Sequence, residues 1–182
     1  TEGVDDGLIY EQEPWDIAPR DDATALYVRM CRTGEKALAR LLARIVSGRI
    51  IGRKQSRPRI PTLAKRTPAD GRIDWSRAEA VDIDRLIRAT ARPYPGAFSR
   101  LDNRKVIFWK SGGLKNFWDS GVPRDASSCE PGTILYAGKG ELIISCGLSA
   151  VSVTSVEFPD SSLRLGPRSD FSPHLRPSQR FS

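Results

Sequence analysis

The chain has little of what a metal or thiol site needs. Three of its 182 residues are cysteine and one is histidine. Cys31, Cys129 and Cys146 form no C-x-x-C pair, and His174 lies in a tail rich in proline, serine and arginine. Because a structural zinc site would find almost no ligands, we expect no bound metal. Three unpatterned cysteines also favour a reducing, cytoplasmic location over a disulfide scaffold, and leave one isolated pair open.

Long apolar runs are absent too. No segment approaches the ~20 consecutive apolar residues of a membrane helix, so we expect no membrane contact. The first six residues carry no signal peptide, and the chain begins without methionine, so we expect a piece of a longer protein. The hydrophobic fraction of 39% and the charged fraction of 28% are ordinary for a globular protein, which argues against a wholly disordered chain.

Positive charge is present but unevenly placed within the net charge of +7. Residues 1–24 hold eight acids and one arginine, a net charge of −7. Residues 29–66 hold twelve bases and one glutamate, a net charge of +11. Such a stretch can meet the phosphates of RNA or of a nucleotide. The favoured alternative is a solvated helix face followed by a solvated linker.

Periodicity predicts two helices separated by that linker. Apolar residues recur at helical intervals over about 22–47, where an aspartate can cap the start. Residues 52–68 hold three prolines and six basic residues and predict a linker. Ser76 and Glu79 have the spacing of a capping box, which predicts a second helix that stops at Pro93–Gly96.

The later half favours β-structure. Two strand pairs flank the turn candidates Asp102–Arg104 and Gly138–Gly140, and a further strand follows. The predicted strands are 97–101, 105–110, 133–137, 141–146 and 150–157. They predict a small antiparallel barrel or open sheet. Residues 166–182 are predicted to be disordered, because proline, serine and arginine dominate there.

Short motifs then add a family resemblance. The segment Gly3–Tyr10 resembles the G-x-D-x-G strand entry of the 10-formyltetrahydrofolate-dependent formyltransferases. Gly71–Trp75 resembles the G-x-I-D-W that opens their C-terminal domain, and Pro93–Phe98 resembles their P-x-P-G-A-F. Pro131–Leu135 with Leu142–Gly147 is similar to their P-G-T-I-L…V-x-C-G strand pair. The motifs occur in the family's order, over about residues 3–158.

The resemblance implies a domain plan. Residues 1–50 would be the end of a Rossmann-like α/β catalytic domain, 51–70 a basic linker, and 71–165 an antiparallel, OB-like β-barrel domain, followed by the disordered tail 166–182. The larger first part of the catalytic domain would precede residue 1, with the family's asparagine, histidine and S-L-L-P-x-x-R-G loop. We therefore expect the chain alone to bind no folate and to have no turnover.

Asp5 is the candidate catalytic residue that the resemblance implies. It matches the family's aspartate, which orients the histidine and stabilises its charged form, like the carboxylate of hydrolase triads. Transfer of a formyl group from 10-formyltetrahydrofolate to a primary amine needs proton removal from the amine and a donor for the oxyanion. Asp6 is the competing assignment, and a plain turn acid is the third. No folate-binding residue is assigned.

Other residues are interpreted as structural. We expect Asp74 at the start of the second helix, Trp75 as an anchor between domains, and Arg88 paired with Asp74 or Asp84 rather than holding a phosphate. Cys129 and Cys146 are expected to be small core residues rather than nucleophiles, since no histidine lies near them in the sequence.

The amine acceptor has two alternatives. Lys65–Gly71, with Pro93–Phe98, resembles family members that formylate nucleotide-linked amino sugars, which makes an amino sugar the predicted acceptor. The +11 stretch favours methionyl-tRNA as the alternative acceptor. A third hypothesis is a non-catalytic RNA-binding barrel in which Trp15, Trp109 and Trp118 stack bases, although core burial is the favoured fate of these rings. The oligomeric state is not predicted.

Overall fold

The structure, a computed structural model, describes residues 7–55, 63–115, 128–146 and 149–182. The chain divides into two compact units, unit 1 at Thr1–Lys65 and unit 2 at Arg66–Ser182. The division falls inside the predicted linker of residues 51–70.

One long helix dominates the described part of unit 1. Helix α1 spans Ala23–Val46 and begins where the Asp22 carboxylate accepts a hydrogen bond from the Ala25 amide at 2.8 Å. It ends at Ser47 and Gly48, and the φ of 68° at Gly48 is a left-handed conformation that glycine adopts without strain. The helix predicted over 22–47 is confirmed.

The segment Gly3–Tyr10 resembles a strand entry, and its described part, from Gly7, forms one antiparallel bridge instead of a strand. Ile9 and Arg53 exchange two backbone hydrogen bonds of 2.9 Å. Gly52 permits this approach, because a Cβ there would lie 2.7 Å from the Cβ of Leu8. Among the described residues, unit 1 thus holds one helix and one bridge, and these do not make the predicted Rossmann-like sheet.

The apolar side of α1 is largely exposed. Of the helix's side chains, Ala23 alone is buried. Four others at helical spacing are about half exposed: Met30, Leu38, Leu42 and Ile45. An amphipathic helix normally buries such a stripe against a second layer. The described residues of unit 1 do not supply that layer.

Unit 2 is built on one antiparallel sheet preceded by two helices. A 3-10 helix spans Pro68–Gly71 and helix α2 spans Ala80–Ala89. The strands are β1 Ala97–Leu101, β2 Arg104–Lys115, β3 Ile134–Gly138, β4 Glu141–Cys146, β5 Ser149–Phe158 and β6 Leu163–Leu165. Their order is β1-β2-β5-β4-β3, with β6 also paired to β5. The predicted antiparallel β domain is confirmed, and β6 is an addition to it.

Two tight turns fix the register of the hairpins. Asp102 and Asn103 have φ of 47° and 64°, the left-handed pair that matches the twist of a two-residue hairpin loop, between β1 and β2. Gly140, with φ of 77°, turns the chain between β3 and β4. Both turns lie where the sequence predicts them.

The core of unit 2 lies between α2 and the sheet. Ile83 and Ile87 of α2 are at most 1% exposed, and Phe108 of β2 is fully buried beneath the helix layer. Burial of a large apolar side chain stabilises the fold by about 1.5–3 kcal/mol. This packing explains why residues 80–89 are helical despite their many charges.

The prediction of a disordered tail at 166–182 is wrong. Phe171, Leu175 and Phe181 are at most 1% exposed. Arg100 and Ser182 exchange two backbone hydrogen bonds of 2.9 and 3.1 Å, so the tail also pairs with β1. The segment is mostly polar, but these three large apolar side chains, spaced along it, hold it to the core.

The predicted barrel is an open sheet among the named strands. β1 and β3 stand at its two ends and do not pair with each other. The tail runs beside both, with isolated bridges from Phe181 to Leu101 and from Arg180 to Thr133. No strand ladder therefore closes the sheet into a barrel among the named strands, and the bridges to the tail are isolated ones.

In the parts of the chain that the structure describes, no helix combines the length and the hydropathy needed to cross a membrane.

Candidate functional site

The candidate catalytic residue Asp5 and its alternative Asp6 lie outside the described residues, so their roles stay predictions. The backbone after them is held at two points. The Gly7 carbonyl accepts a hydrogen bond from the side-chain amide of Gln55 at 2.9 Å, and Ile9 pairs with Arg53. The segment that begins at Gly7 is therefore joined to Arg53 and Gln55.

The acidic and basic stretches of unit 1 neutralise each other in part. The guanidinium of Arg29 lies 2.8 Å from the Asp21 carboxylate, and Arg40 and Arg44 lie 3.1 and 2.8 Å from Glu11. The hydrogen bond from Arg29 lowers the pKa of Asp21, and the bond to Glu11 raises the pKa of Arg40. Three cations of the +11 stretch are thus engaged inside the unit, which weakens the case for a phosphate site on α1.

Asp74 stabilises the turn before α2 rather than the helix itself. Its carboxylate accepts hydrogen bonds from the Ser76 hydroxyl at 2.6 Å and the Ser76 amide at 3.2 Å, and the hydroxyl bond lowers its pKa. The predicted capping box of Ser76 and Glu79 does not form, because the Ser76 hydroxyl donates to Asp74 and α2 begins one residue after Glu79. Asp74 therefore has a structural explanation.

Trp75 is a core residue of unit 2, and the prediction of an anchor between domains is wrong. It is 4% exposed, and its indole N–H donates to the Ser99 hydroxyl at 2.9 Å. The ring stacks on Phe181 at 5.8 Å and meets Phe108 edge-on at 5.9 Å. Trp75 thus packs against Phe181 of the tail, within unit 2.

Arg88 pairs with Asp84, one of the two partners expected. The Arg88 Nε lies 3.0 Å from the Asp84 carboxylate, and Ser111 donates to the other carboxylate oxygen at 2.6 Å. Asp84 is 5% exposed, so its charge needs both interactions. Ser111 lies where the pairing of β2 with β5 shifts register, and this irregularity turns its hydroxyl toward α2. The cluster joins helix to sheet.

The thiols and the histidine do not form a reactive group. Burial raises the pKa of Cys146 to about 12, which leaves it protonated at neutral pH. Cys31 is exposed and lies in unit 1, and Cys129 is half-buried. His174 is exposed in the tail. Among the described residues, no three side chains of the metal-binding types come together.

Sequence reasoning missed a cationic and aromatic surface on the sheet of unit 2, which we name the outer face. Its members are Arg72, Phe98, Arg100, Lys105, Trp109 and Arg164. In β1 the buried Ala97, Ser99 and Leu101 alternate with Phe98 and Arg100, so the last two point away from the core. The register pairs Arg100 with Lys105, and a bridge pairs Arg72 with Phe98. Alternation along β1 and β2 was the available signal.

Aromatic rings on the outer face are covered by cations. The Lys105 ammonium lies 4.4 Å from the Phe98 ring centre, and the Arg92 guanidinium lies 4.3 Å from that of Trp109. Trp109 also donates to the Glu157 carboxylate at 2.7 Å. Core burial, the favoured fate of Trp109, is therefore wrong for this ring, which is only half-buried. Trp15 is 36% exposed, and Trp118 lies outside the described residues.

Comparison with known proteins identifies a family. Residues 65–163 match the family described as formyl transferase, C-terminal domain. The methionyl-tRNA formyltransferase of Marinobacter nauticus is 29% identical over 160 residues, which is 88% of this chain and 48% of the relative. The chain thus spans about half the length of this curated relative.

Solved structures of HypX from Aquifex aeolicus have a similar fold. One variant superposes with a TM-score of 0.69 at 16% identity, over 92% of this chain and 28% of that chain. HypX in complex with tetrahydrofolic acid gives a TM-score of 0.65 at 14% identity, over 99% of this chain and 32% of that chain. At these identities the likeness is one of fold.

Proposed function

Because this chain belongs to the formyltransferase family, with residues 65–163 as the family's C-terminal domain, we propose that it is part of an enzyme that transfers a formyl group from 10-formyltetrahydrofolate to a primary amine. The family match carries the proposal. The folate is the formyl-donating substrate. The tetrahydrofolic acid bound to HypX, a protein of similar fold, supports that choice of donor.

Asp5 is the catalytic residue that this chain would contribute. In the transfer, the amine nitrogen bonds to the formyl carbon, the bond from that carbon to the folate nitrogen breaks, and the amine's proton passes to the departing nitrogen. A histidine that carries this proton is stabilised in its charged form by a neighbouring carboxylate. The G-x-D-x-G register of Gly3–Gly7 supports Asp5 for that role.

The chain would hold only part of the active site. The exposed apolar stripe of α1, at Met30, Leu38, Leu42 and Ile45, supports this, because such a stripe calls for a covering layer. The greater length of the curated relative supports it as well. The covering layer would be the polypeptide that carries the asparagine and histidine.

The test uses the protein that contains this chain together with the rest of the catalytic domain. We expect Asp5→Asn to lower kcat about a hundredfold or more, since the histidine loses its orienting charge. Asp6→Asn, one residue along, is the matched control and should stay near wild type. An Asp5→Asn protein with near-normal turnover would contradict the assignment. Micromolar folate binding by the isolated chain, measured by calorimetry, would contradict the division of the site.

For the acceptor, we propose methionyl-tRNA or a similar aminoacylated RNA. The outer face supports it, because it carries two aromatic rings and four cations, of which Arg164 pairs with the Glu157 carboxylate at 3.2 Å. The three other cations, beside the rings, suit phosphates and unpaired bases. The 29% identity to a methionyl-tRNA formyltransferase supports it too. A nucleotide-linked amino sugar is the competing acceptor, supported by the resemblance of Lys65–Gly71.

Salt dependence separates the two acceptors. We expect RNA binding to weaken steeply with salt, and Lys105→Gln to reduce the slope of log affinity against log salt by about one. Arg85→Gln is the control, because Arg85 lies on α2 and pairs with Asp82 at 3.5 Å. Efficient formylation of the amino sugar, with no effect of Lys105→Gln on any acceptor, would favour the competing acceptor. RNA binding without transfer by the completed protein would favour the non-catalytic module.

A further inference from the structure

Unit 2 contains a cleft that the proposed chemistry does not use. It has a volume of about 560 Å³ and lies between the 3-10 helix, the C-terminal half of α2 and the loop that follows α2. Its lining includes Arg66, Asp70, Leu86, Ala89, Tyr94 and Pro95. Clefts of about 300–1,000 Å³ are the usual size for small-molecule sites.

Two glycines build the base of the cleft. A Cβ on Gly71 would lie 2.7 Å from the carbonyl oxygen of Gly96, so glycine at position 71 lets the 3-10 helix approach the loop. Gly96 has φ of 86° and packs so closely on Ile107 that a Cβ would lie 2.4 Å from its methyl carbon. The walls are therefore fixed by backbone contacts before any ligand arrives.

Arg66, Thr67 and Asp70 form the polar rim of the cleft. One oxygen of the Asp70 carboxylate accepts hydrogen bonds from the Thr67 amide at 2.5 Å and the Thr67 hydroxyl at 3.0 Å. The other oxygen lies 4.0 Å from the Arg66 guanidinium, whose side chain is 80% exposed. The rim thus presents donors from Arg66 and an acceptor from Asp70 at nearly zero net charge.

The interior presents flat and apolar surfaces. Leu86, Ala89 and Pro95 supply aliphatic lining, and Tyr94, which is 54% exposed, supplies an aromatic ring. An aromatic ring face beside an aliphatic wall favours a planar ring, and a paired donor and acceptor suit the edge of a heterocycle. A free phosphate would gain little, because Asp70 offsets Arg66.

We propose that this cleft binds the nucleoside part of the amine acceptor, with the base against Tyr94 and its polar edge at Arg66 and Asp70. The proposal rests on the proposed function, since both candidate acceptors, an aminoacylated RNA and a nucleotide-linked amino sugar, carry a nucleoside. The cleft holds a part of the acceptor that does not react, and such contacts lower the acceptor's KM.

The test titrates the labelled 182-residue chain with adenosine, with uridine and with inorganic phosphate, and follows the backbone amide signals by NMR. We expect saturable shifts at Leu86, Thr90 and Tyr94 with a nucleoside and none with phosphate. Tyr94→Ala should weaken binding about tenfold, and Tyr94→Phe should retain it, because stacking needs only the ring. Tyr136→Ala is the control, since Tyr136 is an exposed tyrosine, at 37%, on β3.

The proposal would be overturned if millimolar nucleoside gave no saturable shift, or if Tyr94→Ala bound nucleosides as well as the unchanged chain. It would also be overturned if a proline-rich peptide, titrated in a separate experiment, shifted these signals and the nucleosides did not. Kinetics on the completed protein then distinguish the two candidate acceptors that could supply the nucleoside. Tyr94→Ala should raise the KM of the acceptor that the enzyme uses and leave the KM of the folate unchanged. Nucleoside binding without formyl transfer would refute the proposed function alone. Formyl transfer without nucleoside binding would refute the cleft alone.

Discussion

Replacing Phe181 by alanine tests whether the tail belongs to the core of unit 2. Phe181 is 1% exposed, stacks on Trp75 at 5.8 Å and meets Phe108 edge-on at 5.2 Å. Truncation of a buried phenylalanine to alanine costs about 3–5 kcal/mol, and each aromatic contact accounts for about 0.5–1.5 kcal/mol of such a loss. With two aromatic neighbours, we expect the free energy of unfolding of unit 2 to fall by about 4 kcal/mol.

Urea unfolding, followed by tryptophan fluorescence, measures this change. Phe181→Leu keeps most of the apolar volume and loses the ring contacts, so we expect an intermediate loss of about 1–2 kcal/mol. Arg176→Ala, in the same tail but exposed, should change stability by no more than about 0.5 kcal/mol. A loss below about 1 kcal/mol for Phe181→Ala, with an unchanged denaturant slope, would refute the inclusion of the tail in the core.

Three further predictions concern charge and burial. Asp84→Asn should lower the free energy of unfolding in urea by about 2–4 kcal/mol, because it removes the buried charge facing Arg88. The control Asp82→Asn breaks an exposed ion pair and should lower it by at most about 0.5 kcal/mol. Equal losses for the two variants would contradict the importance of burial. In the native chain a thiol reagent should modify Cys31 and spare Cys146, because burial raises the pKa of Cys146 to about 12. In urea both thiols should be modified equally, as measured by mass spectrometry. Labelling of native Cys146 at the rate of Cys31 would count against its burial. Hydrogen bonds hold the pKa of Asp70, Asp74 and Asp160 below the usual 3.8. These carboxylates therefore stabilise the folded chain above that pH, and the stabilisation is lost as the pH falls below it. The Tm should fall in that acidic range, and it should fall less steeply for Asp160→Asn than for the unchanged chain.

The hairpins of unit 2 could be predicted from the sequence because their signals are local. Asp102 and Asn103 tolerate left-handed φ, and the apolar alternation on either side fixes which face is buried. Helix α1 was equally visible, since its period and its Asp22 cap lie within one continuous segment. For these elements the local signal is sufficient, and the structure confirms the prediction.

Apart from the capping box of Ser76 and Glu79, the errors come from contacts between distant segments. Trp75 finds its stacking partner in Phe181, and the mean composition of the tail hides that residue among polar neighbours. The cleft at Tyr94 depends on the meeting of Gly71 with Gly96, which no periodicity reports. The candidate Asp5 rests on a resemblance alone, because it lies outside the residues that the structure describes.

The placement of the tail has a consequence for handling the protein. Ile134 of β3 exchanges backbone hydrogen bonds with Ser178 and Gln179, and Arg100 of β1 does so with Ser182. Open strand edges act as templates for pairing between molecules. Removal of residues 178–182 would uncover both edges together, so the presence of this segment should decide whether a preparation remains monodisperse or forms aggregates on storage.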